Sequence, residues 1–249
     1  MKRAKRTRTL LWSCLFLLAG CGETVPASDV PLNAPQTALA QTNSSMEGSE
    51  DAHFVTKLGL IQGHLWVASQ LVEADLFELG ERHAKHPAQE VYQELVPFFE
   101  AVSSPGFAAE LEAMSGQFTS SSKGEFRRSY QQVMNAIDDI VASVELADSD
   151  RLRVANSLIE QALIEYRAGV IDGEIAELQE YQDARGFIEI AARFIAKIQN
   201  DPQRTALLAN IQTAKKLWPD LDPKQTISGD ESALVAVLAE LQANAGAAP

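Results

Sequence analysis

The chain is nearly free of cysteine. Cys14 and Cys21 are the whole complement, and both fall within the first 21 of 249 residues. Past Cys21 there is no thiol. This excludes disulfide bridges, cysteine nucleophiles, cysteine-based zinc sites and iron–sulfur clusters from the body of the protein. Positive charge is also scarce: 21 Lys and Arg stand against 34 Asp and Glu, a formal net charge of −13. Five of the basic residues (Lys2, Arg3, Lys5, Arg6, Arg8) crowd the extreme N-terminus; without them the balance is 16 against 34, or −18. So acidic a body is repelled by nucleic acid and by anionic lipid headgroups. It suits cations or a basic partner, and it also favours solubility. Long apolar runs are absent apart from Leu10 to Leu18, which is shorter than the ~20 residues of a spanning helix. No stretch alternates with a strand-like period between hairpin turns. Neither H-E-x-x-H, a G-x-S-x-G elbow, a P-loop nor a dinucleotide fingerprint occurs.

What is present begins with MKRAKRTRTLLWSCLFLLAGC. A basic head, an apolar run and small residues make the layout of an export signal. Its ending, Leu18-Ala19-Gly20-Cys21, resembles the lipobox of bacterial lipoproteins. The resemblance implies cleavage before Cys21 and attachment of lipid (palmitate-type acyl chains) to that thiol. Gly22 follows where many inner-membrane lipoproteins carry aspartate, which implies sorting to the outer membrane, facing the periplasm. The expected organisation is a signal at 1–20, the lipidated Cys21 and a disordered tether to residue 50, and a helical domain over 51–249. The tether is rich in Ser, Thr, Pro, Asn and Gln; as a flexible coil it reaches roughly 30 Å.

Beyond residue 50 the apolar residues recur with helical period between prolines and glycines. From Ala52 to about Ala74, Phe54, Leu58, Ile61, Leu65, Ala68 and Val72 form one stripe with only a narrow polar arc opposite, so this helix is buried on most sides. A short helix, Leu76 to about Lys85, is expected next. Pro87 then suits the first turn of another, within which Pro97 predicts a kink or early end. Further helices are expected from Pro105, over Glu125–Val144, from Asp148 to about Ile171, from Glu177 to about Gln199, over Pro202–Leu217, and from Asp230. Asp148 and Asp201 are the expected caps. The fold class is therefore all-α: an antiparallel multi-helix bundle of about seven or eight helices, with a long hairpin turning near Asp172-Gly173.

Two regions carry candidate ligands. All four histidines lie between residues 53 and 86. His53 and His64 are about 16 Å apart along a helix axis, too far for one ion, so a site needs His64 with donors from another segment. His83 and His86 share a face at i, i+3 if their helix continues, and Glu90 lies nearby whether it does or not. A helical corner before Pro87 folds these residues back towards His64. Imidazole with carboxylate suits iron, copper or zinc. The second region, IEYRAGVIDGEIAELQEYQDARGF (164–187), surrounds the Asp172-Gly173 turn with acids. Glu180 and Asp183 flank the inward stripe of the later helix at i, i+3, where carboxylates suit hard cations. The alternative for both regions is structural: histidines that satisfy helix ends, and a solvated acidic face.

The order Tyr166, Asp172-Gly173, Glu180-Tyr181, Phe187 resembles the soluble extracytoplasmic region of bacterial high-affinity iron permease family proteins, over about 25 residues. The chain lacks that family's membrane helices and its Arg-Glu-x-x-Glu transport motif, so it is not itself a permease. The resemblance implies a helical periplasmic module in metal uptake or handling. Gly63-His64 is distantly similar to part of the Gly-x-His-x-x-Glu pattern of the imelysin-like family, without its glutamate. The expectation is a lipid-anchored, non-catalytic protein of the bacterial envelope that binds or delivers iron, or else copper or zinc. His64, His83, His86 and Glu90 would form one site, Asp172 and Glu180 another. Its partners would be the membrane, through the lipid, and a metal transporter or basic protein. The contrasting expectation is a partner-binding lipoprotein without metal.

Overall fold

The computed structural model describes residues 36–224, 227 and 230–245, with side chains left undescribed at 36–49, 86–90 and 245. The signal and lipobox, including Cys21, lie outside the described residues. Nine α-helices occur among the described residues: α1 (Gln36–Glu73), α2 (Phe77–Glu90), α3 (Tyr92–Ala101), α4 (Ala108–Met114), α5 (Lys123–Ser143), α6 (Asp148–Gly169), α7 (Leu178–Ile195), α8 (Asp201–Ala214) and α9 (Ser232–Ala245). The all-α class holds, with one or two more helices than the spacing suggests. Two strands, β1 (Val170–Ile171) and β2 (Glu174–Ile175), pair antiparallel between α6 and α7. They are two residues each, too short for periodicity to register.

Several boundaries differ from expectation for local reasons. The first helix does not start at Ala52 but at Gln36, directly after Pro35, and so enters the stretch read as a tether. No proline interrupts it from there on, and its Ala, Gln, Met and Glu residues carry little helical penalty. α2 does not end at Lys85; it runs through Pro87 to Glu90. Pro87 lacks the N–H that would bond the His83 carbonyl, and the helix stops within a turn of it. Pro105 does not open a helix, because Gly106 follows at φ +69° and α4 begins after Phe107. The caps also shift by one residue. Asn200, not Asp201, accepts the Gln203 N–H at 3.2 Å. Asp148 is the first helical residue of α6, and the side chain of Asp150 accepts the Ala147 N–H at 3.2 Å.

The core forms around α1, α6 and α7. All six residues of the α1 stripe are buried, Leu58, Ile61, Leu65, Ala68 and Val72 completely. α6 and α7 are the two arms of the hairpin that turns at Asp172 (φ 53°) and Gly173 (φ 76°). Gly169 lets α6 approach the Tyr181 backbone of α7, where any Cβ would collide. The segment after α8 locks the start of α7. Trp218 Nε1 donates to the Tyr181 carbonyl at 2.6 Å, and Gln182 Nε2 to the Leu221 carbonyl at 2.8 Å. Two close approaches then position the site. Gly63 of α1 and Gly186 of α7 meet backbone to backbone, and Gly80 of α2 lies against the Ala68 carbonyl and Val72 of α1. Small residues at these crossings bring the next turn of each helix into contact.

Candidate metal centre

At the Gly63–Gly186 crossing α1 presents His64, the residue after Gly63, and α7 presents Asp183, about one turn before Gly186; beyond the Gly80 contact, α2 presents His83. The three side chains converge. His64 Nδ1 lies 2.6 Å and His83 Nδ1 2.8 Å from the same oxygen, Asp183 Oδ1. The residues are 6 %, 1 % and 1 % exposed for His64, His83 and Asp183, so the cluster is sealed from bulk water. One ligand atom from each lies within 4.8 Å of the others. Phe187 covers His64 edge-on, with ring centroids 5.1 Å apart.

Hydrogen bonding assigns the protons. Gln182 Nε2 donates to Leu221, so its amide oxygen is the atom facing His83 Nε2, at 2.7 Å. An amide oxygen and a carboxylate oxygen are both acceptors, and each accepts a hydrogen bond from a ring N–H of His83. His83 is therefore an imidazolium in the metal-free protein. Burial opposes that charge, but the charge and hydrogen bond of Asp183, with help from Gln182 and Glu180, hold its pKa above the usual histidine value. Burial likewise opposes ionisation of Asp183, and the two histidines overcome it, holding the carboxyl far below the usual range. A buried carboxylate so heavily stabilised by nitrogen partners is a preformed anionic ligand.

The donor set fits a metal ion. An octahedral ion with ~2.1 Å bonds separates adjacent donors by roughly 3.0 Å. The present N···O separations need only open by a few tenths of an ångström. With an ion on Nδ1, His83 would be neutral and would keep its Nε2–H on Gln182. That is the outer hydrogen bond that normally fixes the tautomer of a ligating histidine.

Next to this cluster is a second pair of acids. Glu165 of α6 is 8 % exposed; its Oε1 accepts from Gln161, and its Oε2 has no hydrogen-bond partner. Burial, then the negative charge of Glu180, push the Glu165 carboxyl up to about 8. Glu180, in the first turn of α7, is half-buried.

The sequence-derived candidates fall out unevenly. His64 and His83 are brought together, from helices that the chain separates by a turn. His86 and Glu90 lie on α2, but their side chains are outside the described residues. Glu180 lies beside the cluster. Asp172 occupies the exposed hairpin turn in a left-handed conformation, a place that favours aspartate for backbone reasons. His53 is exposed and lines a surface cleft of about 380 Å³ with Thr56, Arg153 and Asn156. Sequence reasoning had Asp183 beside Glu180 as a candidate oxygen ligand but placed it in neither site, and it did not single out Gln182 or Glu165 as partners. A signal was available: Asp183 stands three and four residues before Gly186 and Phe187 and seven before Ile190, on the apolar face of α7.

An all-helical body with a buried His–His–Asp cluster defines the class of structure. Residues 143–248 match the family model described as the iron permease-associated 4-helix bundle domain. The match takes in α6 to α9, with Asp183, Gln182, Glu165 and Glu180; it covers less than half of the chain, and His64 and His83 lie before it. The resemblance drawn from Tyr166, Asp172-Gly173 and Glu180-Tyr181 therefore stands. No curated protein and no solved structure gives a significant match. Among the described residues no helix is long and apolar enough to cross a membrane.

Proposed function

We propose that this protein is a non-catalytic metal-binding component of iron uptake or handling, tethered to the bacterial envelope by lipid on Cys21. The observation that carries this reading is the convergence of His64, His83 and Asp183, with ligand atoms mutually within 4.8 Å in a buried setting. Two imidazoles and a carboxylate suit iron(II), and also zinc or copper. The iron permease-associated match of residues 143–248 favours iron. The acidic body would draw cations towards the site and favour a basic face on a partner transporter.

A second reading has one observation in its favour. The protons of His83 are fully satisfied by Asp183 and Gln182 without any ion. In that case the cluster is a structural ion pair pinning α1 and α2 to α7, and the protein is a helical partner-binding module.

Thermal unfolding with added iron(II), zinc(II) or copper(II) separates the two. An ion at 100 times its Kd stabilises the fold by about 2.7 kcal/mol. On the metal reading, His64→Ala and His83→Ala proteins stay helical and lose that gain. Unchanged melting with all three ions supports the structural reading instead.

A further inference from the structure

The last helix is apolar on both of its faces. α9 reads SALVAVLAELQANA and has one charged residue, Glu240. Leu234, Val237 and Leu241 point inward and are fully buried. The exposed positions are again apolar, Val235, Ala236, Ala239 and Ala243, with only Ser232 and Gln242 as polar company. A helix with this composition is ordinarily covered all round.

Two side-chain contacts fix how α9 lies on α6. Arg167 of α6 makes a bidentate ion pair with Glu231, just before α9, its Nε 2.7 Å from Oε2. Towards the other end, Gln242 Nε2 donates to Glu160 Oε1 at 3.4 Å. The two helices therefore run antiparallel, and this register sets Ile164 of α6 beside Val235 of α9. Both are open to solvent, at 49 % and 42 %. Ile171, 56 % exposed, follows about 10 Å further along, just past the end of α6. Four large apolar side chains are exposed among the described residues, and three of them are these. Single exposed apolar residues are ordinary, but a concentration of them in one place marks an interaction surface.

The charge around this face decides what fits it. Over residues 160–175 and 230–245, Arg167 is the only Lys or Arg. The surface acids there are Glu160, Asp172, Glu174, Asp230, Glu231 and Glu240. A second copy of the chain would set these carboxylates against their own images. Anionic lipid headgroups would be repelled in the same way. A partner with an apolar centre and a basic rim matches on both counts. From Glu160 to Ile171 the face is about 16 Å long, which is three turns of helix. We propose that the outer face of α6 and α9 is a docking groove for a basic amphipathic helix of a partner protein. Its apolar stripe would lie on Ile164, Val235 and Ile171, and its Lys and Arg residues would meet the acidic rim. No metal is needed for this contact.

The probe is a synthetic amphipathic helix of leucine and lysine, dye-labelled and titrated with the full chain by fluorescence anisotropy. Its leucine and glutamate counterpart is the charge control. The lysine peptide is expected to bind and the glutamate peptide to fail. The Ile164→Ser/Val235→Ser protein, checked for helicity, is expected to bind the lysine peptide at least about tenfold more weakly. The Val96→Ser protein, changed at the fourth exposed apolar residue, is expected to match the wild type. Equal binding by wild type and double variant overturns the groove, since the peptide is then held by overall charge alone. No binding of the lysine peptide, or equal binding of both peptides, overturns the basic helix as occupant. So does a wild-type dimer in sedimentation that the double variant lacks, which assigns the face to a second copy. Flotation of the wild type, but not the double variant, with phosphatidylcholine vesicles assigns it to lipid and overturns the proposal as well.

Discussion

Asp183 is the residue on which the centre depends. Its Oδ1 takes both imidazoles, and no solvent reaches it to replace them. Removing one member of a buried pair costs more than the pair itself contributes, because the partner keeps its desolvated charge; about 3–5 kcal/mol is usual. Asp183→Asn is therefore expected to lower the unfolding free energy in urea at pH 6 by about that much, and to abolish metal binding. The sign of the pH dependence follows from its lowered pKa. Its contribution is present above the unfolded carboxyl value and disappears as pH falls through the lower folded one. The Asn protein should lack that acid limb, which urea midpoints at pH 3, 4 and 6 will show. The same residue marks what the sequence conceals. Histidine is rare here, so His64 and His83 stand out; aspartate is common, and only full burial distinguishes Asp183 from the other acids of this stretch. Which acid faces inward is decided by the rotation of α7 about its axis. That rotation is set by Gly186 against Gly63 and by Trp218 on the Tyr181 carbonyl, contacts between distant parts of the chain.

The helices themselves were far more legible. The period of Phe54, Leu58, Ile61 and Leu65 fixes both the existence of α1 and its buried face, because burial of that stripe is what makes the helix stable. Their ends were read less well, since a single proline or cap is a small energy that neighbouring packing overrides. α2 passing through Pro87 is one example; the start of α1 at Gln36 is another. What local pattern could not supply was the distance between elements. A glycine inside a helix reads as a cost of about 1 kcal/mol against alanine, and Gly63, Gly80 and Gly186 carry that cost for close approach. At Gly186 a Cβ would press on the Gly63 carbonyl, and at Gly63 it would come within 2.5 Å of Phe187 Cδ1. Gly186→Ala is thus expected to gain in propensity yet lose overall, by about 1–3 kcal/mol, since the α1 backbone has to move. It should also weaken metal binding while leaving every donor in place. Melting temperature and metal titration on the one variant check both halves. A more stable protein with unchanged affinity would show that the crossing does not set the site.

At the scale of the molecule, the centre ties the region that matches the iron permease-associated domain to the two helices that precede it. Protons and metal compete to hold that junction, and they respond to pH in opposite directions. Take the metal-free protein first. Glu165 has its pKa raised from the usual 4.5 to about 8, so the folded state holds a proton there that the unfolded chain has lost. His83 is raised as well, and keeps its proton above the pH at which the unfolded imidazole gives it up. Each group stabilises the fold fully below its unfolded pKa and loses that contribution as pH climbs through the folded one. Stability of the metal-free protein should therefore fall between about pH 5 and pH 8, at up to about 1.4 kcal/mol per pH unit for each proton held in excess. Metal reverses the trend. An ion on His83 Nδ1 must displace the proton now shared with Asp183, so affinity rises with pH. The stabilisation that a fixed concentration of iron(II) confers should grow over the same interval in which the metal-free fold weakens. Paired melts with chelator and with anaerobic iron(II), at pH 5, 6, 7 and 8, give both slopes. Glu165→Gln should flatten the first, since its side chain cannot titrate, and His83→Ala should remove most of the second. A metal increment that stays constant across the range would mean that ion and proton do not share His83, and that the ligand nitrogen has been misplaced.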